Sequence, residues 1–261
     1  MTDGVDRFDG LAEAYEMHRP GYPAVAFQAL LADLRCLTQV AVDVGAGTGN
    51  STASLRDALG PDWRYFAIEP GRDMRRVLSR RFSKAPDVQV VDATAEDMKL
   101  PGGFAALIVA CTAFHWFDMA RFHAEAGRVL APGGVLALIR NRRKPLGVIQ
   151  AFDQYIETHS SETTDLARRE ARKEPVVRDL AQMPGFITAR SCTYHWSNEL
   201  TARGLIDLYL TRSTLWAVVR RIGLARVMAD LTAICTELGV AEAPIRIDWE
   251  TTAKWTRKRV D

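Results

Sequence analysis

Short apolar runs alternate along the chain with longer stretches that favour helix. Several of these runs lack polar residues at every second position, which is typical of strands covered on both faces of a parallel sheet. Helix-favouring segments near 50–59, 71–83 and 117–130 separate the runs, as crossover helices separate parallel strands. The predicted strands are VAVDV (40–44), RYFAIE (64–69), VQVVD (88–92), AALIVAC (105–111) and GVLALIR (134–140).

The regions on either side of this core favour helix. Residues 5–18 place apolar side chains at helical spacing, and the segment RPGYP (19–23) then breaks the chain. Residues 142–184 are rich in charged and helix-forming residues and have little strand character. We therefore expect a helical cap before the core and an inserted helical lid after it.

Two further strands are predicted towards the end of the chain. Residues 186–197 and 245–256 alternate between apolar and polar positions, with helices near 201–213 and 224–238 between them. With the five earlier strands they predict a single α/β domain, a doubly wound and mostly parallel sheet of seven strands with a helical lid. Its parts are a helical cap at 1–34, a core at 35–141, the lid insertion at 142–184, and closing strands and helices at 185–261.

Composition and charge narrow the class of protein. Hydrophobic residues make up 48% and charged residues 25% of the 261 residues, which is ordinary for a globular protein and excludes a largely disordered chain. Apolar runs stay well below the roughly 18 residues needed to cross a bilayer, so no membrane partner is expected. The 34 Lys and Arg against 32 Asp and Glu give a net charge of +2, which disfavours a nucleic-acid partner.

The cysteines favour a reducing compartment. Cys36, Cys111, Cys192 and Cys235 are far apart and show no CxxC spacing. We expect free thiols in a cytoplasmic protein, with neither a disulfide framework nor a metal site. The N-terminal residues have no basic start followed by an apolar run, so no secretory signal is expected.

A glycine-rich turn carries the clearest chemical signal. Gly45, Gly47 and Gly49 directly follow the first core strand and open a helix, in the segment VDVGAGTGN (42–50). Glycines there allow a tight turn and let a ligand approach the backbone without a Cβ in the way. The dinucleotide spacing G-x-G-x-x-G would need a glycine at Asn50. The spacing therefore favours a nucleoside without a pyrophosphate and disfavours a nicotinamide-dependent oxidoreductase.

Acidic residues follow the next two strands. Glu69 closes the second strand about 20 residues after Gly49, where a carboxylate can accept hydrogen bonds from both hydroxyls of a ribose. Glu96 belongs to a similar acidic turn after the third strand. The alternative interpretation is that both are solvated loop acids and that the glycines form only a tight turn. Their joint placement favours a nucleoside site.

A family resemblance appears in the order of these motifs. VDVGAGTGN, AIEP with Met74 after it, ATAEDMKLP, CTAFHWFD and AGRVLAPGGVLALI resemble the successive motifs of class I S-adenosylmethionine-dependent methyltransferases. The likeness is greatest to the small-molecule branch that includes trans-aconitate methyltransferase-like proteins. It is firm over about 40–140 and looser in the opening YEMHRPGYP. It implies a Rossmann-like fold, S-adenosylmethionine as cofactor and S-adenosylhomocysteine as product.

The resemblance also implies a set of cofactor contacts. The residues implied to lie along the methionine part of the cofactor are Asp43, Gly45, Ala46, Gly47, Gly49, Thr112 and Ala113. Glu69 would hold the ribose. The residues implied to lie near the adenine are Pro70, Met74, Ala95 and Glu96. Tyr15 and Arg19 would fold down from the N-terminal helix and close the site.

Methyl transfer does not require a covalent intermediate with the protein. The sulfonium cofactor supplies an electrophilic methyl carbon, so the protein must hold a nucleophile in line with it, within about 3–3.5 Å and away from water. His115, after the fourth strand, is the candidate general base for a hydroxyl, amine or carboxylic acid acceptor. The alternative is that His115 makes only a structural hydrogen bond.

Candidate acceptor-binding residues lie at the same edge of the sheet or on a later helix. Trp116 would wall the acceptor or pack the next helix. Arg140 begins a basic run, 140–144, that would suit an acidic acceptor or form a solvated loop. Tyr209 and Arg212 share a helical face that would line the pocket or belong to the core.

The leading hypothesis is a methyltransferase that acts on a small molecule mainly by proximity and orientation. One alternative is methylation of RNA or another polyanion, favoured by basic residues at 75–81 and 140–144. Another is a protein that binds S-adenosylmethionine without turning it over. The sequence leaves the acceptor and the oligomeric state open, a homodimer included.

Overall fold

A seven-stranded sheet forms the centre of the protein. The computed structural model describes residues 12–159, 180, 183–187 and 189–260, so the predictions for residues 5–11 and for most of 160–184 lie outside it. The strands are β1 Val40–Val44, β2 Arg64–Ile68, β3 Val88–Val91, β4 Ala105–Cys111, β5 Leu130–Arg143, β6 Arg190–Leu200 and β7 Ile245–Arg257.

The strand order is β3-β2-β1-β4-β5-β7-β6. Strands β1 to β5 pair in parallel, whereas β7 runs antiparallel to both of its neighbours, β5 and β6. This confirms the predicted mostly parallel sheet. The order reverses between β1 and β4, and ligands of open α/β sheets bind at the carboxyl edge beside such a switch point.

Helices cover both faces of the sheet. They are α1 Ala12–His18, α2 Ala24–Leu31, α3 Asn50–Leu59, α4 Arg72–Arg81, α5 Met119–Val129, α6 Val148–His159, α7 Ala202–Leu210, α8 Ser213–Ile222 and α9 Leu224–Glu237, with a 3-10 turn at Phe114–Trp116. Every residue of β1 and β4 is buried, as their unbroken apolar runs predict. Among the described helices, none is both long and apolar enough to cross a bilayer.

Two elements differ from the sequence prediction. Strand β5 begins at Leu130 and ends at Arg143, beyond the predicted 134–140, because it follows β7 as far as the pair Arg143–Trp249. A register shift against β4, between Ala105 and Leu107, accommodates its irregular start. The predicted helices near 201–213 and 224–238 correspond to α7 and α9, and an unpredicted helix, α8, lies between them; Gly223 with φ of +89° separates α8 from α9.

The start of the predicted lid is only partly helical. Residues 142 and 143 continue β5, and α6 follows at 148–159. Helix α6 packs with α7, α8, α9 and the first half of β7 in one apolar cluster that includes Phe152, Tyr209 and Trp249. This helical layer therefore stands beside the carboxyl edge of β5, where an acceptor would enter.

Candidate functional site

The glycine turn after β1 has the backbone that only glycine adopts readily. Gly45, Gly47 and Gly49 have φ values of +70°, +58° and +92°, all in the left-handed region. Gly49 caps the N-terminus of α3, and Gly45 N and Ala46 N both donate to Ile68 O of β2. The turn is therefore held against the end of the neighbouring strand.

The three glycines differ in what a Cβ at each position would contact. A Cβ on Gly45 would lie 2.5 Å from Ala113 Cβ, and a Cβ on Gly49 would lie 2.6 Å from Phe82. These two glycines allow parts of the protein to pack together. A Cβ on Gly47 would meet no protein atom within 4 Å. Gly47 is thus the glycine of the turn that faces open space.

Glu69 points at this turn from the end of β2. Its Oε2 accepts a hydrogen bond of 2.8 Å from Gly47 N, and its Oε1 accepts one of 2.8 Å from Gly71 N. Burial raises the pKa of the Glu69 carboxyl, while the two backbone bonds oppose that shift. Each oxygen retains a further lone pair for a second donor. Glu69 thus shapes the turn, and its predicted contact with a ribose stays a prediction.

Asp43 lies beneath the turn and is almost completely buried. Its Oδ2 accepts hydrogen bonds from Ser51 Oγ at 2.6 Å and Thr52 Oγ1 at 2.7 Å, which tie β1 to the start of α3. Burial raises the pKa of Asp43 to about 6. Its Oδ1 has no hydrogen-bond partner in the described structure and is an acceptor that a ligand could satisfy.

A cleft opens above the glycine turn, with about 520 Å3 of empty space that is continuous with solvent. The predicted cofactor residues that line it are Tyr15, Arg19, Gly45, Ala46, Gly47 and Thr112. Sequence reasoning did not select its other lining residues, which are Pro20, Tyr22, Asn50, Ser51, Cys111, Asn141 and Trp249. The structure therefore brings six of the fourteen predicted cofactor residues together and adds an opposite wall.

The segment between α1 and α2 forms the roof of the cleft. Asn50 Nδ2 donates to Arg19 O at 2.9 Å, and Tyr22 N donates to Ser54 Oγ at 2.9 Å. The Arg19 guanidinium lies 5.0 Å from the centre of the Tyr15 ring. The roof is thus attached to the first turns of α3. The resemblance predicted that Arg19 closes the site, whereas the rest of this segment was predicted only to break the chain.

Tyr22 of the roof contacts Thr112 at the carboxyl end of β4. Their hydroxyl oxygens are 2.9 Å apart, and burial raises the pKa of Tyr22 well above its ordinary value. Thr112 has φ of +56°, which is unusual for a β-branched residue. Such strain persists only where surrounding contacts impose it, and it clusters at functional sites. Here the strain lies at the carboxyl end of β4.

Asn141 and Trp249 form the far wall. Asn141 Nδ2 donates to Gly21 O at 2.9 Å, and its Oδ1 accepts from Thr251 Oγ1 at 2.7 Å. The Trp249 ring stacks on Trp196 with ring centres 5.4 Å apart and planes at 10°. The alternation of β5 and β7 was visible in the sequence, but their pairing register and inward faces were not.

Several predicted cofactor residues lie outside the lining of the cleft. Met74 packs against Ala12, Val77 and Tyr15, so it helps to hold α1 on α4. Glu96 Oε1 accepts from Asp118 N at 2.8 Å. The remaining predicted residues, none of which lines the cleft, are Asp43, Gly49, Glu69, Pro70, Ala95 and Ala113.

The predicted acceptor residues are scattered. Arg140 lies on the opposite face of β5, in a shallow cavity with Arg142 and Glu250. Tyr209 is fully buried, and Arg212 pairs with Asp153. These placements put Arg140 away from the cleft and Arg212 in a network behind its far wall.

The aromatic turn after β4 also lies outside the lining of the cleft. Trp116 is 40% exposed, and the His115 ring lies 4.7 Å from the Trp116 ring. No group of three or more His, Cys, Asp or Glu that could hold a metal ion occurs in the part of the chain that the structure describes. All four cysteines are free.

Comparisons with known proteins agree on one family. The family described as Methyltransferase domain matches residues 42–138. An uncharacterized methyltransferase of Mycobacterium tuberculosis is 33% identical over 90% of this chain and 90% of its own length. A solved structure from Anaeromyxobacter dehalogenans, assigned to the type II methyltransferases, is 25% identical with a TM-score of 0.67 and covers 92% of this chain and 97% of its own.

A more distant solved structure shares the fold. Phosphoethanolamine N-methyltransferase 2 of Haemonchus contortus, in complex with S-adenosyl-L-methionine, has a TM-score of 0.52 at 15% identity. The match covers 100% of this chain and 59% of the other.

Proposed function

Because this chain belongs to the class I S-adenosylmethionine-dependent methyltransferases, we propose that it transfers a methyl group from S-adenosylmethionine to a small-molecule acceptor in the cleft above the glycine turn. The observation that carries the proposal is the open space in front of Gly47, at the sheet edge where the strand order reverses. Nucleoside ligands bind at such edges. The likeness to trans-aconitate methyltransferase-like proteins stays a prediction.

The residues around the glycine turn fit the cofactor. Gly47 leaves the backbone accessible, and Asp43 Oδ1 is a buried acceptor that still needs a donor. The second lone pairs of the Glu69 carboxylate can accept from ribose hydroxyls while the first ones hold Gly47 and Gly71. When bound, S-adenosylmethionine supplies an electrophilic methyl carbon.

The rest of the cleft would bind and orient the acceptor. Tyr15, Arg19 and Tyr22 lie over the space above the turn and would help to exclude water from it once cofactor and acceptor are bound. The Trp249 ring and the Asn141 amide face that space from the other side. A closed site of this kind accelerates methyl transfer mainly by holding the two reactants in line.

A general base at His115 remains part of the proposal, to be tested separately. His115→Ala should leave cofactor affinity unchanged, whether His115 is the general base or has only a structural role. Turnover that falls by about 100-fold or more and does not recover at high pH supports a base. Unchanged turnover indicates that His115 has a structural role, such as its ring contact with Trp116.

The proposal as a whole is tested by binding and turnover. Isothermal calorimetry should detect S-adenosylmethionine and S-adenosylhomocysteine but not NADPH. Release of S-adenosylhomocysteine should then depend on a small acceptor from a panel of acids, alcohols and amines. Binding without acceptor-dependent release would indicate a non-catalytic binding protein. If RNA stimulates the release of S-adenosylhomocysteine and added salt suppresses that stimulation steeply, the protein is a polyanion methyltransferase.

A further inference from the structure

A partly buried arginine, with one guanidinium nitrogen fully buried, lies beside the far wall of the cleft. Arg143 is the last residue of β5, and its Nη1 is buried with no hydrogen-bond partner in the described part of the chain. The guanidinium carbon lies 4.6 Å from the centre of the Tyr209 ring and 5.7 Å from that of Trp249. These rings hold the group in place and accept none of its conventional hydrogen bonds.

The charges around Arg143 do not neutralise it. Arg212 also stacks on the Tyr209 ring, at 5.0 Å, and forms an ion pair with Asp153. Arg19 donates to two oxygens of the neutral Thr211. Among the described residues, the groups that act on the charge of Arg143 thus include two further guanidinium groups and one carboxylate, that of Asp153.

Arg143 keeps its charge in this setting. Burial, followed by the repulsion of Arg212 and Arg19, lowers the pKa of Arg143 to about 10. The guanidinium is therefore still protonated at neutral pH.

The strand alternation places Arg143 on the cleft side of the sheet. Arg143 and Asn141 are two residues apart on β5 and so lie on the same face, and Trp249 is the cross-strand partner of Arg143. Both Asn141 and Trp249 line the cleft. Arg142 lies on the opposite face and is exposed. Arg143 is not itself a lining residue, so its unsatisfied donor lies next to the two residues that form the far wall.

We propose that Arg143 anchors an oxyanion, a carboxylate or a phosphate, on the methyl acceptor. The planar guanidinium presents parallel N–H donors that match such a group. A buried cation without a partner is costly to the free protein, and a bound anion removes that cost. The inference rests on the proposed function, since it concerns the second substrate of the same cleft. It would restrict the acceptors to acids and phosphate esters.

The test uses the full chain loaded with S-adenosylhomocysteine. Succinate and inorganic phosphate are titrated separately by calorimetry, so that the two arms distinguish a carboxylate site from a phosphate site. Arg143→Met removes the charge, and Arg142→Met on the other face of β5 is the matched control. We expect at least one anion to bind the wild type, with affinity lowered tenfold or more in Arg143→Met and within twofold of wild type in Arg142→Met.

Two further measurements keep the outcome clear. If Arg143→Met does not fold, the same titrations are made with Arg143→Lys, which keeps the charge but loses the planar fork of donors. We expect Arg143→Lys to bind the anion several-fold more weakly than the wild type. The thermal midpoint of ligand-free Arg143→Met should equal or exceed that of the wild type, because an unpaired buried cation has been removed. A purely structural cation–π role would lower that midpoint and leave anion binding unchanged.

Failure of this inference differs from failure of the proposed function. No anion binding to the loaded wild type, or equal binding to both Met variants, would overturn the anchor while leaving the cofactor site intact. If the wild type itself does not bind S-adenosylhomocysteine, the proposed function is overturned instead.

Discussion

Gly47 offers the most direct test of the proposed cofactor site. Its φ of +58° disfavours any side chain, and the space in front of it is open. Gly103 has φ of +64° and equally open surroundings, but it precedes β4 at the opposite edge of the sheet. Comparing the same substitution at Gly47 and at Gly103 therefore separates the effect of backbone strain from the effect of a lost ligand contact.

Gly47→Ala should lose affinity for S-adenosylmethionine by roughly tenfold or more, because a Cβ would occupy space that the ligand needs. Its unfolding free energy should fall by about 1 kcal/mol, the typical cost of a left-handed non-glycine residue. Gly103→Ala should show the same loss of stability in urea titrations and unchanged affinity in calorimetry. Equal losses of affinity in both variants would contradict a ligand at Gly47.

The buried carboxyl of Asp43 makes stability depend on pH. Its pKa is about 6 in the folded protein against 3.8 for an ordinary Asp, so the folded state binds more protons between those values. Stability from this group is therefore present below pH 4 and is lost as pH rises through 6. At 1.36 kcal/mol per pKa unit, the loss is roughly 2 to 3 kcal/mol.

Asp43→Asn should remove this dependence. Asn keeps an oxygen that accepts from Ser51 and Thr52 but does not ionise. In urea unfolding from pH 4 to pH 7, the wild type should lose stability relative to Asp43→Asn by about 2 kcal/mol or more. A difference that stays constant over this range would show that the carboxyl is charged throughout.

The sequence identified the glycine turn on one side of the cleft but not the residues of the facing wall. Gly45, Gly47 and Glu69 belong to local motifs whose geometry follows from a strand, a turn and a helix. Asn141 and Arg143 depend on which face of β5 turns inward, and Trp249 depends on its register with β7. Alternation is visible in one sequence, whereas an inward face and a register come from tertiary packing.

Helix α1 is held over the cleft by its contacts with α4. Glu13 pairs with Arg76 at 2.6 Å and Glu16 pairs with Arg80 at 2.8 Å, while Met74 packs beneath Tyr15. The ion pairs are exposed, so each holds the helix weakly and is screened by salt. The apolar contact does not depend on salt.

The double variant Glu13→Gln/Glu16→Gln should therefore release the cofactor faster. We expect roughly a two- to fivefold increase in its dissociation rate by stopped-flow fluorescence at low salt, and no difference near 1 M salt. Arg226→Gln breaks the remote surface pair with Asp230 on α9 and is the control. An equal effect from the control variant would rule out a specific role for α1.

Element prediction succeeded where the local pattern was sufficient. Helix α3 and strands β1 and β4 have the predicted bounds, because a glycine turn or an unbroken apolar run marks their ends. The extra length of β5 comes from pairing with β7, which is distant in the chain. The sequence prediction missed α8, which lies between the two predicted helices and is separated from α9 by Gly223.

At the scale of the whole molecule, the cleft joins two apolar layers. One is the core around β1 to β5, and the other is the cluster of α6, α7, α8, α9 and the start of β7. A ligand in the cleft contacts the glycine turn on the first and Trp249 on the second. Binding should therefore stabilise the molecule as a unit.

S-adenosylhomocysteine should raise the midpoint of thermal unfolding. At about 100 times its Kd, a ligand that binds only the folded state adds about 2.7 kcal/mol. For a chain of this size, that corresponds to roughly 5 to 10 °C. NADPH at the same concentration should give no shift in differential scanning calorimetry. Equal shifts with both ligands would contradict a site selective for the methyl donor.

The two walls of the cleft come from separate stretches of the chain. The wall at the glycine turn is made by residues 15–112, and the facing wall by Asn141 and Trp249 on the paired strands β5 and β7. Asn141 links the two stretches through its hydrogen bond to Gly21 O, so changes that keep Asn141 should preserve this contact between the walls. A lineage of such enzymes can acquire new acceptors by drift in the later stretch alone, and grafting that stretch between relatives should transfer acceptor choice along with it.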